Sequence, residues 1–189
     1  TVYAFGHLNP TKKAEFLKIK TSLPNQRALE ITPDHMLLVN GRFVKASSVN
    51  VGDVVQGNHK VPLKVEKVES VFRSDGIYAP LTPSGTIIVD GVVASSYVFL
   101  QAKGNEYPLF ANGFVLPISQ QVGIHMCMAP FRMLCMGVSS RICDIKDDEG
   151  VAFWVDWGMR LAAFADMQSL VIQLIMLALA LVIIPPVYA

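Results

Sequence analysis

The sequence has few charged residues and few cysteines, and each shortage excludes a class of protein. Charged residues make up 16% of the 189-residue chain, and the formal net charge is +1, with the basic residues scattered along it. Proteins that bind nucleic acid usually concentrate Lys and Arg in a patch or stripe. We therefore expect no nucleic-acid partner, and the length fits one domain with a short extension.

The chain has three cysteines, Cys127, Cys135 and Cys143, spaced eight residues apart. An odd number at this spacing predicts neither a disulfide framework nor a zinc site of the Cys-x-x-Cys kind. His125 with Cys127 supplies two candidate ligands and no second pair, so we expect no metal site. Nothing in the sequence indicates a cofactor.

The sequence also has no charged-then-apolar leader, and it begins with Thr1 rather than Met. No secretory signal peptide is therefore visible. We expect the chain to be a piece of a longer precursor whose N-terminal part is absent.

Residues 1–101 lack helical periodicity and are divided by turn residues into short apolar or alternating segments. Between Phe16 and Thr21 the apolar and charged residues alternate, which is typical of a half-buried strand. The pair Asn40-Gly41 separates two apolar runs and predicts a type I′ hairpin turn, which needs positive φ at both central residues. Turn signals at this spacing predict an all-β domain over residues 1–101.

Residues 102–150 differ in composition. Loop residues come first, then a Met-rich segment from Val122 to Met136 that predicts one or two short helices. An acidic surface loop is expected at residues 144–150.

Residues 151–189 form a hydrophobic tail. Its stretch from Met167 to Ile184 is uncharged, and as a helix it would span about 27 Å, close to the hydrocarbon core of about 30 Å. The flanking aromatics Trp154, Trp157 and Tyr188 are of the type that prefers membrane interfaces. We expect a membrane-inserted or membrane-lying helix over 167–184 rather than a buried helix, because few soluble helices are apolar on all sides.

Thr32 and His35 stand three residues apart on a predicted turn just before the apolar strand from Met36 to Val39. Pro33 has a fixed φ and biases Thr32 toward an extended conformation. Burial of the strand would hold the hydroxyl and the imidazole on a rigid element. The alternative is that these residues only form the turn, with the histidine packed beside it.

Several blocks in the same order resemble the C-terminal autoprocessing domain of Hedgehog proteins, an intein-like (Hint) domain. They are Ile31 to Val39, Gly76 to Val89 and Val92 to Tyr97, and His125 with Met128 to Leu134 resembles the segment that follows the domain. The resemblance covers residues 1–136. It implies an all-β Hint fold followed by a mostly helical, hydrophobic C-terminal region.

The resemblance also implies a reaction. In this family a cysteine that begins the domain receives the acyl group of the preceding residue, and a Thr and a His in a Thr-x-x-His block act on the scissile peptide. Thr32 and His35 fall on those two positions. An acceptor, cholesterol in animal Hedgehog, then attacks the thioester and releases the N-terminal part as an ester. A positioned acid–base pair suits this chemistry because an amide nitrogen is a poor leaving group.

The sequence departs from the family pattern at three places. The nucleophilic cysteine and the first strands would lie upstream of Thr1, and none of the cysteines present can replace it, since it must adjoin the scissile bond. This chain alone is therefore expected to be inactive. His7 stands where the family often has an aspartate base for the acceptor, and an imidazole can do that work. Ser96 stands where the animal proteins commonly carry a cysteine.

The expected partners are the chain's own N-terminal precursor segment, a sterol or other lipid acceptor (or water), and a membrane met by the tail. The expected location is membrane-associated, in the secretory pathway or outside the cell. The alternative function is a non-catalytic, membrane-associated β module that serves as a binding or structural piece. Splicing is a weaker alternative, because residues 96–104 contain no Asn before a Ser, Thr or Cys.

Overall fold

A computed structural model describes residues 1–98, 118–137, 143 and 145–167, the last seven of these as backbone only. Within this part of the chain, strands occupy the N-terminal half and helices follow. The strands are β1 (Ala4–Asn9), β2 (Ala14–Thr21), β3 (Leu29–Ile31), β4 (His35–Val39), β5 (Arg42–Lys45), β6 (Val54–Gln56), β7 (Pro62–Arg73), β8 (Ile77–Leu81), β9 (Thr86–Val89) and β10 (Val92–Val98). The helices are α1 (Gln120–Cys127), α2 (Ala129–Gly137) and α3 (Phe153–Met167).

The strand pairs are antiparallel. Strand β1 pairs with β8, while the other strands follow the order β3-β2-β7-β6-β4-β10-β9, with β5 added on β4. The longest pairing joins β2 to β7, from Ala14 opposite Arg73 to Lys20 opposite Lys67. The predicted all-β fold followed by a helical region is confirmed.

Strand β4 lies between two hydrophobic clusters. Its side chains alternate, so that Leu37 packs into a cluster formed by the large sheet, and Met36 packs into a second cluster beneath α1 and α2. Both side chains are fully buried, and burial of a side chain of this size stabilises the fold by about 1.5–3 kcal/mol. The strand that begins at His35 is therefore firmly held.

The predicted turn chemistry is present. Asn40 and Gly41 have φ values of 50° and 81°, as the expected type I′ turn requires. Asp53 caps the backbone of another turn, since its carboxylate accepts a hydrogen bond from the Asn50 N–H at 2.8 Å.

The Met-rich segment forms the two short helices α1 and α2. Ser119 is the N-cap residue of α1, and its hydroxyl accepts a hydrogen bond from the Val122 N–H at 3.3 Å.

The absence of a disulfide framework was a wrong expectation, because Cys135 and Cys143 form a disulfide with their Cα atoms 5.8 Å apart. The spacing of eight residues does not reveal that the chain returns to α2, and only that return makes the bond geometrically possible.

The predicted acidic loop is partly a strand-like hairpin. Residues 145–153, called here the clasp hairpin, make backbone hydrogen bonds from the Asp147 N–H to the Val151 carbonyl and from the Phe153 N–H to the Ile145 carbonyl, both at 3.0 Å. These residues carry no strand pattern in the sequence, because the acidic residues are arranged around a turn at Asp147 to Gly150.

The predicted membrane helix at 167–184 lies outside the described residues, except for Met167 at the end of α3. Within the part that is described, no helix combines the length and apolar character needed to cross a bilayer.

Candidate functional site

The turn between β3 and β4 brings the Thr32 hydroxyl and the His35 ring together. Strand β3 is fixed on both sides of Glu30 by the buried side chains of Leu29 and Ile31. The His35 N–H donates to the Thr32 carbonyl at 3.1 Å and closes the turn. Thr32 Oγ1 then lies 2.6 Å from His35 Nδ1. This is a short hydrogen bond, and its direction depends on the tautomer of the ring.

The same turn is fastened to the end of β5. The Pro33 carbonyl accepts a hydrogen bond from the Ser47 N–H at 3.0 Å. The Lys45 ammonium donates to the Asp34 carboxylate at 3.0 Å. Asp34 is largely exposed, so this ion pair adds little stability. The two contacts join the turn to the end of β5 and to the residues that follow it.

His35 is a neutral imidazole at physiological pH. Burial of the ring is the largest cause and lowers its pKa to about 4. The Asp34 carboxylate opposes this shift, and a positive charge on His7 adds to it. A neutral ring can accept a proton at one nitrogen and donate at the other, as an acid–base catalyst must.

His7 lies near this pair, close enough for its charge to act on the His35 ring. It stands on β1, where a bulge at Gly6 interrupts the pairing with β8, and it is paired with Ala79. Its Nε2 is 2.9 Å from the carbonyl oxygen of Glu149 in the clasp hairpin. The structure thus brings Thr32 and His35 into direct contact, and His7 is connected to them through the effect of its charge on the His35 ring.

His125 does not belong to this region. Its Nδ1 is 2.9 Å from the Tyr97 hydroxyl and 3.4 Å from the Arg132 guanidinium. Tyr97 packs in the second hydrophobic cluster, on the face of β4 occupied by Met36. Burial raises the pKa of Tyr97, and a neighbouring Tyr3 adds to this while Arg132 opposes it. These groups support the packing of α1 and α2 against the sheet.

Ser96 is also structural. Its hydroxyl is buried and lies 3.2 Å from the hydroxyl of Thr82, which itself donates to the Thr86 carbonyl at 2.8 Å. The neighbouring Ser95 hydroxyl donates to the Gln121 side chain at 2.5 Å and joins β10 to α1.

Glu149 was not predicted as a site residue. Its contribution to His7 is a backbone carbonyl, which any residue carries, and it lies 142 positions away along the chain. No local pattern could have identified it. Among the described residues there is also no group of three or more ligating side chains that could hold a metal ion.

Comparison with known proteins shows the family to which this chain belongs. The Hint module model matches residues 1–164. The Indian hedgehog protein of Xenopus laevis is 35% identical over 137 residues, which cover 62% of this chain and 33% of that protein. Warthog protein 1 of Caenorhabditis elegans is 31% identical over 110 residues, covering 54% and 22%. The chain thus spans a third or less of the length of these relatives.

A solved structure of the VidaL intein is also similar, with 17% sequence identity and a TM-score of 0.39 over 48% of this chain and 61% of that one. The match to the Hint module extends over most of the chain, from β1 into α3. The resemblance to Hedgehog proteins noted in the sequence is confirmed. The chain belongs to the Hint module family and is similar, within it, to the Hedgehog and Warthog proteins.

Proposed function

We propose that this chain is the autoprocessing domain of a Hedgehog-like precursor and cleaves that precursor once, through a thioester. The observation that carries the proposal is the 2.6 Å contact between Thr32 Oγ1 and Nδ1 of the neutral His35. A hydroxyl and an uncharged imidazole held together on a rigid turn form an acid–base pair of the kind that an acyl shift requires.

In the first step, a cysteine thiol adjoining the scissile bond attacks the preceding carbonyl carbon. His35 donates its Nδ1–H to Thr32 Oγ1, and its Nε2 takes the thiol proton. The C–S bond forms, the C–N bond breaks, and the same proton passes from His35 to the departing amine. The lowered pKa of His35 suits the second half of this transfer, because its protonated form readily gives the proton to the departing amine.

Thr32 has a second part in this step. Because its oxygen accepts the His35 proton donor, its own O–H is available to donate to the scissile group. Such a donor stabilises the charge that develops on that group in the transition state. Thr32 therefore both orients the ring and polarises the bond.

In the second step, His7 acts as the base for the acceptor. It removes the hydroxyl proton of a sterol, another lipid or water, and the acceptor oxygen attacks the thioester carbonyl. The C–S bond breaks, and the proton returns to the departing thiolate. The effect of the His7 charge on the pKa of His35 supports a shared site for the two steps.

The cysteine that this mechanism uses belongs to the precursor, at a position N-terminal to Thr1. We propose that processing takes place in the secretory pathway and that the apolar stretch 167–184 meets the membrane from which a lipid acceptor would come. Carbonate extraction of the protein with and without residues 160–189 tests the membrane part.

The function is tested on the full-length gene product. Hydroxylamine cleaves thioesters, so it should release an N-terminal fragment. The mass of this fragment should show that it ends at the residue before the cysteine. His35→Ala should abolish this release and Thr32→Ala should slow it. His59→Asn is the matched control, because His59 lies in an exposed turn with φ of 52°, which Asn tolerates.

Release at the wild-type rate from His35→Ala would refute the proposed site. No release from any variant, in a precursor that does carry the cysteine, would leave a non-catalytic binding or structural module as the function.

A further inference from the structure

We propose that the clasp hairpin positions His7 for its role as a base, with the Glu149 carbonyl fixing the tautomer and the orientation of the ring. This inference rests on the proposed function, because it concerns the second step of that reaction. It assigns a positioning role to residues 145–153, a segment that the sequence alone predicts to be a surface loop.

The hairpin is a structured element. Besides its ladder bonds, its turn is closed by the Gly150 N–H donating to the Asp147 carbonyl at 3.0 Å. The Asp147 carboxylate accepts a hydrogen bond from the Val151 N–H at 2.8 Å. At its base, the buried Cys143 is joined by the disulfide to Cys135 of α2. The hairpin is therefore held at both ends.

The hairpin docks on the free side of β1, opposite β8. The Leu8 N–H donates to the Gly150 carbonyl at 2.8 Å, and the Ala152 N–H donates to the Gly6 carbonyl at 2.9 Å. His7 lies between these two bonds, opposite Val151. Its backbone is consequently fixed on one side by β8 and on the other by the hairpin.

The ring of His7 is then fixed through its side chain. A carbonyl oxygen only accepts hydrogen bonds, so the 2.9 Å contact with Glu149 requires Nε2 to carry a proton. In the neutral ring, Nδ1 is then the unprotonated nitrogen and the basic atom. The Asn9 side-chain amide donates to the same carbonyl at 3.1 Å and helps to orient it.

The consequence for the reaction is specific. When the acceptor hydroxyl loses its proton to Nδ1, His7 becomes an imidazolium whose Nε2–H still donates to the Glu149 carbonyl. A fixed acceptor on the far nitrogen both holds the ring and stabilises the cation, as the buried carboxylate does in a Ser-His-Asp triad. Release of the hairpin should therefore impair acceptor attack and leave thioester formation intact.

Gly150→Ala is the principal test. Gly150 has φ of +83°, and an added Cβ would lie 2.3 Å from the Leu8 carbonyl oxygen, so the hairpin must move away from β1. Gly52→Ala is the matched control, because Gly52 has a similar φ of +99° and open space around the position of the added Cβ. Asp147→Ala is a milder second variant that loosens the turn without a clash.

Two readouts separate the steps in the full-length precursor. With hydroxylamine, which is its own nucleophile, all three variants should cleave within about twofold of the wild-type rate. With cholesterol in detergent micelles as the acceptor, Gly150→Ala should be slower by about tenfold to a hundredfold, the scale for a misplaced catalytic group. Asp147→Ala should be slowed less, and Gly52→Ala should match the wild type.

A third readout does not depend on activity. In ¹⁵N NMR of this chain, His7 should be the Nε2-protonated tautomer, and Gly150→Ala should give a mixture. An Nδ1-protonated His7 in the wild type, or normal cholesterol transfer in Gly150→Ala with the tautomer lost, would overturn the inference. If hydroxylamine does not cleave the wild-type precursor, the proposed function is wrong. The NMR result then still shows whether the hairpin fixes the tautomer of His7.

Discussion

The hydroxyl oxygen of Thr32 lies 2.6 Å from Nδ1 of His35, on a turn that both neighbouring strands and the end of β5 hold in place. This contact makes the side chain at position 32 part of the environment of the ring. Substitutions that keep or remove the hydroxyl therefore separate its chemical role from its shape.

Thr32→Ser should keep the hydrogen bond, and its hydroxylamine-induced cleavage should stay within about threefold of the wild type. Thr32→Val preserves the shape but removes the hydroxyl, and its rate should fall by at least about tenfold, since both a hydrogen bond and a polarising donor are lost. Single-turnover cleavage rates of the precursor check this. Equal rates for the Ser and Val variants would show that position 32 contributes only packing.

The partly buried His35, whose pKa is lowered by desolvation, should make the protein less stable as the pH falls. Its pKa is about 4 in the folded state against about 6.5 in an unfolded chain. The unfolded state therefore binds more protons between these values, and stability rises with pH through this window. Between pH 7 and pH 4.5, His35 should account for a loss of about 2–3 kcal/mol in the free energy of unfolding.

Urea denaturation of the wild type, His35→Gln and His59→Asn at both pH values measures this loss. Other groups titrate as well, so the quantity of interest is the difference between variants. The pH dependence should become shallower in His35→Gln and stay unchanged in His59→Asn. An unchanged slope in His35→Gln would show that the ring is not held neutral by burial.

The disulfide should stabilise the helical region. Cys135 and Cys143 close a short loop, and removing a bond of this loop length costs about 2–3 kcal/mol. The double variant Cys135→Ser, Cys143→Ser should thus unfold at a lower urea concentration, as should the wild type under a reducing agent. Cys127→Ser is the control, because Cys127 is a free, exposed cysteine. Identical midpoints for both variants would argue against the bond in solution.

The ion pair between Glu30 and Arg73 should stabilise β3, the strand that leads into the turn with Thr32 and His35. The guanidinium donates from Nε and Nη2 to the two carboxylate oxygens at 2.7 and 2.5 Å, and it joins β7 to β3 across β2. Hydrogen bonding to Arg73 is the largest cause of the lowered pKa of Glu30. Because both groups are about a third exposed, the effect of Arg73→Gln should be modest.

Thermal unfolding should nevertheless show a larger decrease in Tm for Arg73→Gln than for Lys67→Gln, which breaks a more exposed pair with Glu69. The stabilisation by Glu30 should also disappear as pH falls through its lowered pKa, because the carboxylate is then protonated. Equal decreases in Tm would indicate that the two hydrogen bonds from Arg73 to Glu30 add no stability beyond that of a more exposed ion pair.

Local signals in the sequence were sufficient for most of the β domain. Asn40-Gly41 determines its own turn, and alternation along β2 identifies a half-buried strand, because both effects depend only on neighbours in the chain. The proposed catalytic pair Thr32 and His35 was recognisable for the same reason, since two residues three positions apart on one turn lie close together. These features agree with the structure.

Contacts between segments that are distant in the chain could not be predicted from such local signals. The clasp hairpin meets β1 through backbone groups, which carry no sequence signature, and the disulfide depends on the return of the chain to α2. The effect of His7 on His35 likewise depends on tertiary packing, because Ala4 of β1 and Met36 of β4 belong to the same hydrophobic cluster.

The sequence by itself therefore determined the family, the strands and the hydroxyl–imidazole pair, because each is encoded by residues adjacent in the chain. Only the tertiary structure decided that desolvation lowers the pKa of His35, that the charge of His7 acts on that ring, and that a carbonyl of the clasp hairpin holds His7. The physical reason is that desolvation and long-range hydrogen bonds exist only once the segments have packed together.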